Sequence, residues 1–323
     1  MSLDADYLID RRRLRRKLTL WRVLACAAGA AALIALGLMS GGKELVDSQS
    51  AHIARLTVSG LITSDKPMLE AIRKVKDAAS AKAAIVSINS PGGTTTGSEA
   101  LFRELRDLAV AKPTVAVVTG TAASGAYVAA IGTERIFAPE TALIGSIGVI
   151  VQYPNFVKTL ELMGVKVEAV RSSPLKAMPS GVEPTLPEAR AALEASVADS
   201  YAWFKGLVKD RRSLSEEELV KVSDGRVFTG RQSVPLKLVD QIGSEKEAIA
   251  WLESEKSIAK SLKVRDYKRV DPNDRLGLFS LAAGIADFFG HEEFAASLRT
   301  TGRGIAAQSL DGLLSVWQPR IEN

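Results

Sequence analysis

Cysteine and histidine are scarce in this chain of 323 residues, which contains one cysteine and two histidines. A single cysteine excludes an intrachain disulfide bond. The Ser-His-Asp arrangement of many hydrolases requires a histidine, and the two available here are His52, at the start of the first predicted strand, and His291, near the C-terminus. We interpret both as surface or structural side chains, so a hydrolytic site in this chain would need a different base.

Net positive charge is also small outside the N-terminus. The formal net charge is +5, and residues 1–22 account for most of it, since they hold seven Lys and Arg against Asp4, Asp6 and Asp10. The nearly neutral remainder lacks the basic surface that nucleic-acid phosphates require. We therefore expect no nucleic-acid partner. A hydrophobic content of 46% is typical of a globular protein with one sizeable core and appendages.

A run without charged residues, Val23–Met39, follows this basic N-terminus (residues 1–22). Its length is just sufficient to span a bilayer as a helix, and basic residues before it predict a cytoplasmic N-terminus with the rest of the chain outside. A cleaved signal peptide is the alternative interpretation. Cys26 precedes most of the apolar run, so we interpret it as part of the helix and not as a lipidation site.

Three further segments follow the predicted anchor. Residues 40–51 are polar and contain Gly and Ser, which is typical of a linker. Residues 52–258 form the predicted folded domain. The tail, residues 259–323, carries two apolar stretches, LFSLAAGIADFFG and GLLSVW. We expect two helices packed on the domain or on a neighbouring subunit, with contact to a membrane surface as the alternative.

Strand-like and helical patterns alternate through the folded domain. Strands are predicted at HIARLTVSGLI, AAIVSIN, TVAVVTG, RIFAPE, ALIGSIGVIV and KVEAVRS. Helices are predicted at PMLEAIRKVKDAASA, TTTGSEALFRELRDLAVA, NFVKTLELMG, SEEELVKVS, EKEAIAWLESEK and from about Leu186 to Arg212. Such alternation predicts an α/β fold with a mainly parallel sheet.

Two turns rich in small residues follow buried strands. Ser90-Pro91-Gly92-Gly93 comes directly after AAIVSIN, and a turn with little Cβ bulk leaves its backbone N–H groups free to bind a developing oxyanion. One strand later, Ser124 lies among small residues in A-A-S-G, at a predicted strand-to-helix turn. The first turn is common on its own. Together the two turns favour a nucleophilic serine beside an oxyanion hole.

These turns and two further motifs resemble the signal peptide peptidase A family of bacterial serine proteases, in the Clp-protease/crotonase superfamily. The motifs are N-S-P-G-G, A-A-S-G-A-Y, I-G-S-I-G-V and G-R-V-F-T-G-R-Q. The resemblance covers roughly residues 52–250 and implies a Clp/crotonase-like fold of repeated ββα/βαβ units with an N-terminal transmembrane helix. Two glycines of the family pattern are absent: Ala126 replaces one, and Ser233–Asp240 lacks the other, before L-V-D.

The resemblance also implies the roles of individual residues. Ser124 is expected to be the nucleophile and Lys176, in the Pro-flanked segment Ser172–Pro179, the general base. A lysine can accept a proton only if burial keeps its amine neutral. Ser146 is expected to orient that amine. The N–H groups of Gly93 and Gly125 are the expected oxyanion donors, and neither a cofactor nor a metal is expected.

The function implied by the resemblance is a membrane-anchored serine endopeptidase that degrades remnant signal peptides. The resemblance implies a single-pass protein of the bacterial inner membrane, with its catalytic domain in the periplasm. It also implies a homo-oligomeric ring, of which an octamer is one form, with serine and lysine supplied by adjacent subunits. Two other functions stay open at this point: a crotonase-type acyl-CoA enzyme and a catalytically silent membrane scaffold.

Overall fold

A computed structural model describes residues 50–267 without a gap, together with residues 314–316 and six positions between 17 and 24. The chain divides into two units, Met1–Ala51 and His52–Asn323. In the first unit, the six described positions before residue 25 are helical. None of the helices within the described positions is long and apolar enough to cross a membrane. The expected anchor, Val23–Met39, lies outside the described residues except for Leu24.

The second unit contains nine strands within the residues that the structure describes. They are β1 (His52–Ile62), β2 (Ala81–Thr94), β3 (Thr114–Ala123), β4 (Arg135–Ala138), β5 (Leu143–Gly145), β6 (Val227–Thr229), β7 (Gln241–Ile242), β8 (Lys263–Asp266) and β9 (Leu314–Val316). The two longest strands, β1 and β2, lie next to each other and are paired in parallel.

Eight helices follow or connect these strands within the described part of the second unit. They are α1 (Lys66–Asp77), α2 (Thr95–Ala111), α3 (Gly125–Ala130), α4 (Val157–Leu162), α5 (Pro187–Arg212), α6 (Glu216–Val222), α7 (Gly230–Ser233) and α8 (Glu245–Glu255). Side-chain caps mark where the first two begin. Asp65 accepts a hydrogen bond from the Met68 N–H, and Thr94 accepts one from the Gly97 N–H.

The strands form one sheet with the order β6-β5-β3-β2-β1-β8, and β4, β7 and β9 pair off this path. All pairs are parallel except β5–β6 and β2–β9. Helices α1, α2 and α3 connect consecutive parallel strands, so the first half of the unit is a series of βαβ units. The predicted α/β class is confirmed. The carboxyl ends of β2, β3 and β5 consequently meet at one edge of the sheet, which is where ligands bind in many parallel α/β proteins.

Strand β2 is buried on both faces, and its alternate side chains enter different hydrophobic clusters. Ala84, Val86 and Ile88 pack in the cluster beneath α1, α2 and α3. Ala83 and Ile85 point to the other face and pack in the cluster that includes residues of α8. This two-sided burial explains why AAIVSIN is a continuous apolar run without polar alternation. Burial of each Val or Ile side chain of this strand contributes about 1.5–3 kcal/mol.

Several expectations about elements were wrong or incomplete, and one of them is ALIGSIGVIV, where the strand β5 is confined to Leu143–Gly145. KVEAVRS was predicted to be a strand, but it has no regular structure in the chain. GLLSVW was expected to be helical, whereas its described part is the strand β9. The sheet extends beyond residue 258, because β8 pairs in parallel with the start of β1. The other apolar stretch of the tail lies outside the described residues.

Candidate active site

Ser124 occupies a sharp turn between β3 and α3. Its φ and ψ angles are 55° and −122°, a conformation that L-residues rarely adopt. Such a turn at a strand-to-helix junction is the way many hydrolases present a nucleophilic serine. The turn is held by backbone hydrogen bonds, since the Ser124 N–H donates to the Gly145 carbonyl at 2.7 Å and its carbonyl accepts from Tyr127 N–H at 2.9 Å. Holding a residue in this region costs roughly 1–3 kcal/mol, and these bonds offset that cost.

Ser146 stands at the end of the neighbouring strand, one position after β5. Strands β3 and β5 are parallel, with Ala123 opposite Gly145, so Ser124 and Ser146 are the next residues along each strand. Ser146 also has a positive φ, 51°, and its N–H donates to the Arg226 carbonyl at 2.8 Å. Both serines are largely buried. The structure therefore brings together the predicted nucleophile and the serine predicted to orient its base.

The Gly92-Gly93 turn at the end of β2 is fixed by Ser90. The Ser90 hydroxyl donates to the Gly60 carbonyl at 2.6 Å and accepts from the Gly92 N–H at 3.1 Å. Gly93 pairs with Ile62 of β1, and a Cβ at Gly93 would lie 1.7 Å from the Ile62 carbonyl oxygen. No side chain fits there, so this position requires glycine.

Gly125, the residue after the predicted nucleophile, lies beside this turn. A Cβ placed on Gly125 would be 2.0 Å from the Ser98 hydroxyl oxygen and 3.2 Å from the Gly93 nitrogen. The two residues predicted to supply the oxyanion donors are thus neighbours in space. Helix α2 begins at Thr95, directly after the turn, so the positive end of its dipole favours negative charge at this edge. Sequence reasoning did not place Ser98 at this junction.

The side chain of Tyr127 fixes helix α3, which follows Ser124, to the rest of the domain. This side chain is fully buried and its hydroxyl donates to the Leu238 carbonyl at 2.9 Å. Burial raises the pKa of Tyr127, which keeps the hydroxyl a donor. Lys237, the residue before Leu238, adopts a φ of 59°. Lys237 therefore takes a left-handed conformation at the position where the family pattern has glycine.

Lys176 lies in a long excursion, residues 150–186, which we call the arm. Within the arm only Gly181 is buried. Several of its apolar side chains face solvent, and Leu162 and Val170 have exposed fractions of 90% and 106%. Lys176 is exposed as well, and its backbone N–H donates to the Ser173 carbonyl at 3.1 Å. The single chain therefore does not provide the burial that the sequence led us to expect around this lysine.

His52 lies at the opposite edge of the sheet from Ser124. It opens β1, where it is buried, stacks on Tyr267 and makes a 2.9 Å hydrogen bond with the Tyr267 hydroxyl through Nε2. This placement matches a structural histidine, while His291 lies outside the described residues. Within the part of the chain that the structure describes, no three His, Cys, Asp or Glu side chains are grouped so that they could hold a metal ion.

Comparison with known proteins assigns the chain to a protease family. Residues 106–259 match the model of peptidase family S49. A Synechocystis protein named "Putative protease slr0021" is 37% identical over 201 residues, which cover 62% of this chain and 72% of that protein. An Enterococcus faecium protein named "Putative signal peptide peptidase SppA" is 30% identical over 254 residues, 74% of this chain and 72% of that protein.

Two other similarities are more restricted. The chloroplastic serine protease SPPA of Arabidopsis thaliana is 31% identical over 210 residues, 65% of this chain but 31% of the plant protein. A solved structure of a ClpP1 mutant from Listeria monocytogenes aligns with 13% identity and a TM-score of 0.41, covering 64% of this chain and 98% of that one. The family model and the two bacterial relatives carry the assignment, and they agree with the serine-bearing turn at the sheet edge. The chain is a member of peptidase family S49, a serine protease by its homologues.

Proposed function

We propose that this protein is a membrane-anchored endopeptidase that cleaves signal peptides after their release from secreted proteins, with Ser124 and Lys176 as a catalytic dyad. The observation that carries the proposal is the junction of three strand ends. There, Ser124 and Ser146 follow paired strands, and Gly125 lies next to the nitrogen of Gly93. A nucleophile and two backbone oxyanion donors are two of the three parts that acyl transfer requires, and the third is a general base.

The proposed reaction has two steps with the same proton carrier. The amine of Lys176 takes the proton of the Ser124 hydroxyl as Oγ attacks the peptide carbonyl carbon. The negative charge that develops on the carbonyl oxygen is bound by the N–H groups of Gly93 and Gly125. Lys176 then gives the proton to the leaving amine, and an acyl-enzyme remains. The same lysine then takes a proton from a water molecule as the water oxygen attacks the acyl carbon. The bond from that carbon to Ser124 Oγ breaks, Lys176 returns the proton to Oγ, and the acyl half of the peptide leaves as a carboxylic acid.

The strand-end edge also supports binding of an extended peptide. Residues 314–316 of the chain lie antiparallel to β2, with Val316 opposite Gly92 and Leu314 opposite Thr94. The edge beside the oxyanion turn therefore accepts a strand through main-chain hydrogen bonds, which is a common way to bind peptides without a fixed sequence. A substrate peptide that pairs here replaces residues 314–316.

Lys176 is proposed to reach Ser124 from a second copy of the chain. The exposed apolar side chains of the arm support this, because a patch of this kind marks a protein contact. Packing of the arm against a neighbour would bury Lys176 and favour its neutral form. A head-to-tail contact repeated around an axis closes into a ring, and we propose such a ring, of which an octamer is one form, as the active species.

The substrate class and the membrane location are supported by other observations and have their own tests. One relative carries the name signal peptide peptidase, and Val23–Met39 is an apolar run preceded by basic residues. We propose that this run anchors the protein in the inner membrane with the peptidase outside the cytoplasm. A reporter fused after residue 60 should then be active only outside the cytoplasm. The full-length protein should also stay in membranes after alkaline washing. A soluble species that begins near residue 40 would show cleavage instead.

Membership in a peptidase family favours this function over the two alternatives. A crotonase-type acyl-CoA enzyme would share an oxyanion hole but would not need an activated serine. A silent scaffold would have no activated serine either. Both alternatives therefore predict that a fluorophosphonate, which reacts with activated serines, leaves the protein unmodified.

The experiment that tests the proposed function uses the full-length protein in its native assembly. We expect a fluorophosphonate probe to label Ser124, as identified by mass spectrometry of the digested adduct. A synthetic signal peptide should be cut at internal bonds. Ser124→Ala should abolish labelling and lower turnover by about 10⁴-fold or more, since it removes the nucleophile. Unlabelled wild-type protein, or normal turnover by Ser124→Ala, would overturn the proposal.

A further inference from the structure

Ser98, in the first turn of α2, has a buried hydroxyl without a hydrogen-bond partner. The residue is 0% exposed, and its Oγ is one of two buried side-chain polar atoms without a partner among the described residues. A serine in a helix usually donates to the carbonyl four residues earlier, which for Ser98 is that of Thr94. Leaving a buried hydroxyl unpaired is unfavourable, because burial removes its hydrogen bonds to water without replacing them. Such a group calls for an explanation, and a catalytic role is one of the recognised ones.

The unpaired Ser98 hydroxyl lies beside the two residues that are predicted to supply the oxyanion donors. Its oxygen is 2.0 Å from the point where a Cβ of Gly125 would be, and the Gly93 nitrogen is 3.2 Å from the same point. The hydroxyl therefore occupies the space left open by the missing side chain of Gly125, next to the backbone nitrogen of Gly93.

We propose that Ser98 is a third hydrogen-bond donor of the oxyanion hole, which directs its O–H at the substrate oxygen only when negative charge develops there. The inference rests on the proposed function, since it takes Gly93 and Gly125 as the first two donors. A hydroxyl proton rotates freely to meet an acceptor. In the resting enzyme the O–H finds none, and in the tetrahedral intermediate it does. An interaction made only in the transition state raises kcat without tightening substrate binding.

Ser98→Ala separates this role from a structural one. In the full-length protein we expect kcat to fall on the order of 100-fold with KM unchanged, as for the loss of an oxyanion donor. The rate of fluorophosphonate labelling at Ser124 should fall in parallel, because that adduct also places an oxygen in the hole. The Tm should stay the same or rise, since the variant removes an unpaired polar atom and leaves no partner unsatisfied.

Ser233→Ala is the matched control, because Ser233 is equally buried but its hydroxyl donates to the Thr229 carbonyl at 2.8 Å. That variant should show the reverse pattern, a lower Tm with unchanged kcat. Ser98→Cys keeps a weak donor of similar shape and should have a kcat between those of Ser98→Ala and the wild type.

Two results would overturn the role of Ser98 while the proposed function stands. They are a wild-type kcat in Ser98→Ala, and a fall in Tm of both Ser98 variants that matches the Ser233→Ala control, which would indicate packing alone. Failure of the wild-type protein to label at Ser124 is a different outcome. It would remove the proposed function itself, and the third donor with it.

Discussion

The strand-end site and the arm differ sharply in how much of their structure the single chain provides. At the strand ends, Ser124 and Ser146 are buried and held by backbone hydrogen bonds, and Gly93 fits against Ile62 with no room for a side chain. In the arm, helix α4 has no buried residue, and Leu162 and Val170 face solvent. The single chain completes the packing of the strand-end site, whereas the arm exposes apolar surface of the kind that a partner covers.

The nucleophile and the base were both predicted from sequence motifs, but the two need different surroundings. The nucleophile and the oxyanion donors need distances fixed to fractions of an ångström, and a rigid sheet edge provides them. The base needs burial, and in this protein the burial of Lys176 is proposed to come from assembly. We therefore expect the single chain to be inactive and to become active when a second copy brings its arm to the strand ends.

The largest effect is expected at the base. Lys176→Ala should lower kcat/KM by at least about 10³-fold, because the proton of Ser124 then has no acceptor. Lys166→Ala is the matched control in the same arm, since Lys166 is exposed and pairs with the exposed Glu168 at 2.9 Å. That control should keep wild-type activity. Retained turnover in Lys176→Ala would mean that another group is the base.

The next largest effect is expected at the strand-end site. Gly93→Ala should lower the free energy of unfolding by about 3 kcal/mol or more, because its methyl group would stand 1.7 Å from the Ile62 carbonyl oxygen in the β1–β2 pairing. Gly206→Ala is the control, since a Cβ at Gly206 has no atom within 4 Å and the residue lies inside α5. It should stabilise the protein by about 0.5–1 kcal/mol. Denaturant unfolding measures both, and equal effects would contradict the rigid fit.

A smaller effect is expected from a charge in the arm. Val170→Asp should reduce the mass of the assembly in light scattering and lower activity by roughly 10-fold or more, while it changes the stability of the chain by less than about 0.5 kcal/mol. Val110→Asp introduces the same charge at a residue of α2 that is 80% exposed. This control should leave mass and activity unchanged. Equal mass for Val170→Asp and the wild type would contradict the arm as a contact surface.

The smallest effect is expected at the turn that supports Tyr127. Lys237 has a φ of 59° and forms an exposed ion pair with Glu218 at 2.7 Å. Lys237→Gly relieves the left-handed strain but loses that pair, so its stability should lie within about 1 kcal/mol of the wild type. Lys237→Val should be less stable by about 1–2 kcal/mol, since β-branched residues tolerate this φ poorly. Thermal unfolding of the two variants compares them directly, and a Val variant as stable as the Gly variant would argue against a strained turn.

The features that the sequence predicted well have a local physical cause. Strand β1 was predicted with its observed bounds, His52–Ile62, because its apolar run is bounded by a linker and a capped helix. The turns at Gly93 and Ser124 were predictable because small residues after a buried strand leave few alternatives to a sharp turn. Their convergence required the parallel sheet, which follows from the alternation of strands and helices.

Other features depend on partners that are distant in sequence or absent from the chain. The pattern of KVEAVRS suits a strand, but a strand needs a neighbour to pair with, and within the described residues of this chain the segment has none. Strands β6 and β7 have three and two residues, too few for a periodic signal. Ser98 follows a glycine near the start of a helix, which is an ordinary position for serine, and only the packing against Gly125 distinguishes it.

Mixing two inactive variants tests most directly whether Ser124 of one chain acts with Lys176 of another. Ser124→Ala protomers keep Lys176, and Lys176→Ala protomers keep Ser124, so random co-assembly places an intact serine beside an intact lysine at one interface in four. We predict recovery of roughly a quarter of wild-type activity in an equal mixture of exchanging subunits. No recovery in assemblies verified to contain both variants would contradict a site shared between chains.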